Sequence, residues 1–408
     1  MKKNFPIIVY LGIWSISAIN SLPGIAISPI MGDLQNIFST AGEEEIQMLA
    51  SLPSLLIIPF ILISGYLTQK VDMYRLLVIG LLLFGITGLL YLFSQKMWQL
   101  LLLSALLGIG AGIVIPLSTG IISLFFSGKE KTNQFGIVSA VSNLILVVAT
   151  SLTAYLATIN WHFPFLVYLL PFITLLLISR LKLYWPKNNM AYNDTAISNT
   201  SKEVDDIKYD SININFGKSG IDLKKLMQLI VVYGVSTFSA AIMIFYIPFT
   251  IKDLGLSETF GGNLLSIFFL AIMLPGFFIN KIINVFKENT ILYSIICSLI
   301  SFVILIYFHS VILLLIAAIL LGFGYGIIQP ICYDKTSKVA LPSKNTIALA
   351  YLMTINYIVI VICPILIDGI KKVFNVTQNF FPYRVGLFVF AIMLIVVLYN
   401  RKSFINIY

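Results

Sequence analysis

The chain has 408 residues, 59% of them hydrophobic and 11% charged, with a mean hydropathy of +0.98. An ordinary soluble domain carries roughly 25% charged residues, so a soluble enzyme is excluded: too few polar groups exist to cover the surface. The formal charge of +9 comes from 26 Lys and Arg against 17 Asp and Glu. The basic residues fall between apolar runs, which speaks for membrane topology and against nucleic acid as a partner. Cys297, Cys332 and Cys363 all lie inside apolar runs. This odd, membrane-buried set offers neither a disulfide framework nor metal-ligand spacing, and no cofactor or metal is expected.

In chain order, Met1-Lys2-Lys3 opens like a secretory leader. The apolar stretch that follows, Pro6 to Ile30, is longer than such a leader and lacks a small-x-small cleavage site. It predicts a retained first transmembrane helix. Crossing a hydrocarbon core of roughly 30 Å takes about 20 apolar residues, and eleven more runs meet that need: 47–66, 75–94, 98–124, 134–158, 163–180, 226–250, 260–280, 290–308, 311–333, 345–369 and 383–400. In lipid each must be a helix, because every backbone group needs an internal partner.

Assigning alternate sides to the breaks tests that count. With the N-terminus inside, 21 of the 26 basic residues are cytoplasmic; the other five, Lys96, Lys252, Lys371, Lys372 and Arg384, are outside. The bias supports twelve spans with both termini inside a cytoplasmic membrane. The long hydrophilic stretch from Leu181 to Lys225 reads as a flexible linker. Three units are therefore expected: a six-helix bundle over 1–180, a cytoplasmic linker over 181–225, and a second bundle over 226–408. The sequons at Asn193 and Asn199 fall on the inner side, where glycosylation is not expected.

The two halves repeat. Residues 106–116 read Leu-Leu-Gly-Ile-Gly-Ala-Gly-Ile-Val-Ile-Pro and residues 320–330 read Leu-Leu-Gly-Phe-Gly-Tyr-Gly-Ile-Ile-Gln-Pro, in the fourth and tenth spans. A weaker pair follows spans two and eight: Gly65-x-x-x-Gln69-Lys70 and Gly276-x-x-x-Asn280-Lys281. Parallel repeats of one six-helix unit point to a transporter. Gly108 and Gly112, like Gly322 and Gly326, are four apart on one helix face, so a neighbouring helix can come close there, for packing or for sliding. Pro29, Pro59, Pro116, Pro248, Pro275 and Pro330 permit bends.

In these features the chain resembles the major facilitator superfamily, and the resemblance covers essentially its whole length. It implies an all-α membrane protein whose twelve transmembrane helices form two parallel-repeat six-helix bundles. The family's loop between helices two and three carries a glycine, a leucine two later, an acid four later and a basic cluster. Here Gly65, Leu67, Lys70 and Arg75 match it, while Gln69 stands in the acid's place and Asp72 where a turn glycine is usual. The acid helps latch the inner gate in the family; the neutral Gln69 keeps only hydrogen bonding to a helix end. Leu22-Pro23-Gly24-Ile25 and Pro29-Ile30-Met31-Gly32-Asp33-Leu34 resemble the drug-efflux branch. Ser104 replaces that branch's arginine in span four, and the antiporter's glycine-proline pair is missing from span five.

Ionisable residues inside spans mark coupling sites, and here Asp33, Asp334, Asp368, Arg180 and Arg384 are all expected at helix ends. Asp33 is the candidate coupling group if protons drive transport. His162 and His309 are expected in outer turns, and Glu43-Glu44-Glu45 as a solvated helix start. The resemblance implies that spans one, four, seven and ten line the cavity. Asn20, Asn143, Tyr233, Gln329 and Asn356 are the substrate-binding candidates, with helix–helix hydrogen bonding as the other role for such groups. Ser139, Ser142, Asn143, Thr150 and Thr153 form one polar stripe on span five. A site of aromatics and amides without fixed charge suits a neutral or amphipathic small molecule. The expectation is a monomeric, non-enzymatic secondary transporter in the lipid bilayer, an exporter, with a facilitator or uptake carrier and a lipid flippase as the alternatives.

Overall fold

The computed structural model describes residues 5–23, 34, 37–38, 43–185, 220–256, 258–375 and 380–399. Within them lie twelve α-helices: α1 (Ile7–Ile19), α2 (Glu43–Leu67), α3 (Met73–Tyr91), α4 (Met97–Phe125), α5 (Gly128–Ala157), α6 (Leu170–Leu181), α7 (Leu223–Asp253), α8 (Glu258–Phe286), α9 (Thr290–Tyr307), α10 (Val311–Lys338), α11 (Asn345–Val373) and α12 (Phe381–Tyr399). Most are long and apolar enough to cross a membrane. Asp33 lies outside the described residues, as does most of the expected linker.

Local chemistry explains the boundaries. Asp72 caps α3 by accepting the Arg75 backbone N–H at 3.3 Å, so the residue in the place of a turn glycine starts the next helix. Gln99 reaches back to the N–H groups of Gln95 and Lys96 at 2.9 and 3.0 Å to open α4. The helix α1 stops at Ile19, short of the continuous span expected to Ile30: Pro23 pushes the residue before it out of the helical region. The sixth span begins as a seven-residue 3-10 segment, Phe163–Leu169, then continues as α6, with a proline near the start of each. Together they rise about 32 Å, enough to cross. In α8 the backbone leaves helical geometry at Phe278 (φ −116°, ψ 15°), three residues after Pro275.

The two halves are built alike. In the first, α4 packs on α2 and α3, and α1 on α5 and α6; in the second, α10 packs on α8 and α9, and α7 on α11 and α12. The repeated glycines create these contacts. A Cβ at Gly108 would lie 2.7 Å from the Pro53 carbonyl oxygen, and one at Gly112 2.7 Å from Phe60 Cβ, both on α2. Gly322 meets the Phe268 carbonyl and Gly326 that of Ile272, both on α8. The middle glycines face the third helix of each half: Gly110 meets Phe84 of α3, and Gly324 meets Ser298 of α9. The motif therefore wedges one helix between two others inside a half; sliding between the halves is not its place.

In span ten, α10 runs on to Lys338, and Asp334 and Lys335 lie in its last turns, each 1% exposed and so buried. Lys338 Nζ donates to Asp334 Oδ2 at 2.7 Å, four residues apart, a spacing at which ion pairs lend a helix modest support. Asp368 lies near the end of α11, accepting the Tyr246 hydroxyl at 3.1 Å. His162 and His309 do stand in turns before the 3-10 segment and before α10.

Candidate functional site

Tyr325, Gln329 and Tyr333 recur every four residues along one face of α10, and Tyr233 and Thr237 do the same on α7. The Tyr233 ring stacks on that of Tyr325, with centroids 6.4 Å apart, and meets that of Tyr333 edge-on at 5.7 Å. The Gln329 amide Nε2 donates to the Tyr333 hydroxyl at 3.1 Å and to the Tyr233 hydroxyl at 3.3 Å. Those two hydroxyls are 3.0 Å apart. Asn356 of α11 accepts from the Thr237 hydroxyl at 3.1 Å and the Tyr325 hydroxyl at 3.3 Å. Tyr233, Gln329 and Asn356 are thus brought into one cluster of hydroxyls, amides and aromatic rings, with no charged side chain in it.

The first half reaches this cluster through α5. Ser139 Oγ donates to Gln329 Oε1 across the two bundles, and Phe135 packs on Tyr333 at 5.9 Å. Asn143, one turn beyond, folds its amide onto the Ser139 carbonyl at 2.8 Å, and Thr150 bonds back to its own helix. Most of the span-five stripe thus satisfies itself locally. Asn20, at the end of α1, donates to Ser118 Oγ of α4 at 2.7 Å. Its backbone carbonyl accepts from the Tyr357 hydroxyl of α11 at 3.4 Å. Tyr357 and the pair Trp14–Gln134, joined at 2.9 Å, were not singled out from the sequence. Tyr357 neighbours Asn356, and Trp14 lies on the helix that ends at Asn20; an aromatic beside a span amide was the available signal.

At the end of the bundle where α6 leads to α7, the halves are pressed together. A Cβ at Gly65 would lie 2.6 Å from Ala350 Cβ, and one at Gly120 2.6 Å from Thr346 Oγ1, both on α11. Gly136 of α5 and Gly276 of α8 meet backbone to backbone. Two side-chain latches flank these contacts. Lys344 Nζ, at the start of α11, donates to Gln69 Oε1 at 2.6 Å, and Asn280 Nδ2 donates to the Lys129 carbonyl, at the start of α5, at 3.1 Å. Gln69 and Asn280 therefore do not pair with each other; each end of a second-position helix latches to the opposite half, as the repeat requires. Lys70 Nζ sits 4.9 Å over the Tyr66 ring, while Arg75 contributes its backbone N–H to the start of α3.

Two six-helix halves shut against each other at one end, with an uncharged polar cluster between them, define a polytopic membrane carrier. Residues 9–202 and 229–402 match the family described as Major Facilitator Superfamily, and the chain belongs to that family. It is a secondary transporter, not an enzyme. The chain is similar to the quinolone resistance protein NorA of Staphylococcus aureus, at 22% identity over 296 residues, 71% of each chain. It is also similar to the multidrug transporter protein MdtP of Bacillus subtilis, at 26% identity over 146 residues, 36% of this chain and 26% of that one. Two solved structures share the fold. FucP in the outward conformation has a TM-score of 0.73 at 10% identity, covering 97% and 98% of the two chains. The proton:xylose symporter XylE bound to 6-bromo-6-deoxy-D-glucose has 0.71 at 12% identity, covering 98% of each.

Proposed function

We propose that the protein exports amphipathic or neutral organic molecules across the cytoplasmic membrane by alternating access, as a monomer, with both termini and the linker in the cytoplasm. One observation carries the reading: among the described residues, the polar centre between the halves consists of tyrosine hydroxyls and Asn and Gln amides on aromatic walls, without fixed charge. Such a lining recognises organic molecules by shape and a few hydrogen bonds; a multiply charged anion would call for Arg or Lys. Tyr233, Gln329 and Asn356 form one wall, and Asn20 and Asn143 contribute from the first half. The bundles 1–180 and 226–408 rock about this site, and the closed end opens when Gln69–Lys344 and Asn280–Lys129 let go. Relatives named for quinolone resistance and multidrug transport support export, and Asp33 is the candidate coupling group if protons drive the cycle.

The test is a thermal-shift screen of the purified protein in detergent, against lipophilic cations, neutral amphiphiles, sugars and lipids at two pH values. A ligand of the folded state at a hundredfold excess over its Kd stabilises by about 2.7 kcal/mol. Stabilisation by amphiphiles, stronger at one pH, is the expected result. Stabilisation by neutral polar solutes alone, independent of pH, would make the protein a facilitator or uptake carrier and overturn export.

A further inference from the structure

Asn20 differs from the other candidates of the site. It caps the end of α1 (φ −59°, ψ −27°). Its Nδ2 donates to Ser118 Oγ at 2.7 Å, and the proton of that hydroxyl is committed to the Ile115 carbonyl at 2.7 Å. The serine oxygen therefore acts as acceptor, which sets the orientation of the Asn20 amide and turns Oδ1 away from it. Oδ1 is enclosed by protein and finds no hydrogen-bond partner among the described residues. It lies where the halves meet, since Tyr357 of α11 donates to the backbone carbonyl of the same residue. Of the other enclosed orphan atoms, Ser123 Oγ, Asp334 Oδ1 and Thr336 Oγ1 belong to the last turns of α4 and α10, and Trp185 Nε1 follows α6, all at the closed end.

A buried carbonyl oxygen without a donor is destabilising, and one held in place by its own amide partner is already oriented for an incoming donor. We infer that Asn20 Oδ1 is the acceptor that selects, among amphipathic molecules, those carrying an N–H or O–H donor such as an aromatic amine or an alcohol. The inference rests on the amphipathic-substrate reading above. A ligand of like shape without the donor leaves Oδ1 orphaned and binds less well for that reason.

Two permanently charged fluorescent dyes test this on the full chain in detergent. One is 3,6-diamino-10-methylacridinium, whose amines carry N–H groups; the other is its bis(dimethylamino) analogue, which carries none. The readout is the ratio of their Kd values, because damage to packing alone weakens both together. Replacing Asn20 by Leu is expected to shift that ratio by about tenfold against the amine dye, the size of one hydrogen bond. Should Asn20→Leu not be recovered folded, Asn20→Ala serves the same comparison. Both dyes binding with a ratio unchanged by the substitution would overturn the selectivity assignment alone. Failure of wild-type protein to bind either dye would overturn the amphipathic-substrate reading and this assignment with it.

Discussion

At the scale of single residues, the informative positions are those where this chain departs from its family's pattern. Gln69 occupies the place of a latch acid, yet it still joins the halves by accepting from the Lys344 ammonium at 2.6 Å. A carboxylate there would turn a charge-to-dipole hydrogen bond into an ion pair. Because the pair is exposed, the gain is about 0.2–1 kcal/mol, and it acts only while this end is closed. Gln69→Asp is therefore expected to slow turnover by about 1.4- to fivefold while leaving the Kd of a bound dye unchanged. Transport assays in vesicles decide it; unchanged turnover would remove Gln69 from the gate. Asp334 carries a different lesson: it lies in the last turns of α10, as a linear reading expects, yet tertiary packing leaves it 1% exposed beside Lys338.

At the scale of helices, glycines divide into two groups with different work. Gly108, Gly112, Gly322 and Gly326 hold helices together within a half, whereas Gly65, Gly120, Gly136 and Gly276 let the halves touch. Alanine in either group overpacks a tight contact, at about 1–3 kcal/mol, but the consequence differs. In Gly322→Ala the clash with Phe268 and Ala271 exists whichever end is open, so the melting temperature falls without a change of state. In Gly136→Ala the clash with Gly276 exists only in the closed arrangement, so the population shifts towards opening. A cysteine in place of Ser139, with the native cysteines replaced, reports the difference. Its maleimide labelling rate is expected to rise severalfold with Gly136→Ala and to stay level with Gly322→Ala. Equal labelling in both would mean that the α5–α8 contact does not gate access.

At the scale of the whole molecule, helix order relates the halves by a pseudo-two-fold. The end of α2 meets the start of α11, and the end of α8 meets the start of α5. The lysines and arginines suggest a direction for this object: alternating the sides of the breaks in the sequence assigns 21 of 26 to the side expected to hold the linker. The proposed orientation predicts that a cysteine at Lys96 is labelled by a membrane-impermeant maleimide in intact cells. One at Lys287 reacts only after permeabilisation. Both positions are exposed, so the reversed result would invert the topology, and with it the assignment of the closed end to the cytoplasm.

How far each level was legible follows from the range of the forces involved. Hydropathy and the demand for internal backbone hydrogen bonds act within about 20 residues. Consequently the helices after α1 fall within a few residues of the apolar runs, α1 itself stopping at Ile19 ahead of Pro23, and the Gly-x-Gly-x-Gly repeat announced two like halves. Tyr233, Gln329 and Asn356 stood out because amides and tyrosine hydroxyls in lipid need partners. Their identity as partners could not be read the same way. Ser139 and Gln329 are 190 positions apart, and Lys344 and Gln69 are 275. Short-range periodicity carries no record of which side chains meet at such separations. Packing of one bundle on the other selects those pairs, leaves Asn20 Oδ1 without a donor, and sends the Asn143 amide back onto its own helix.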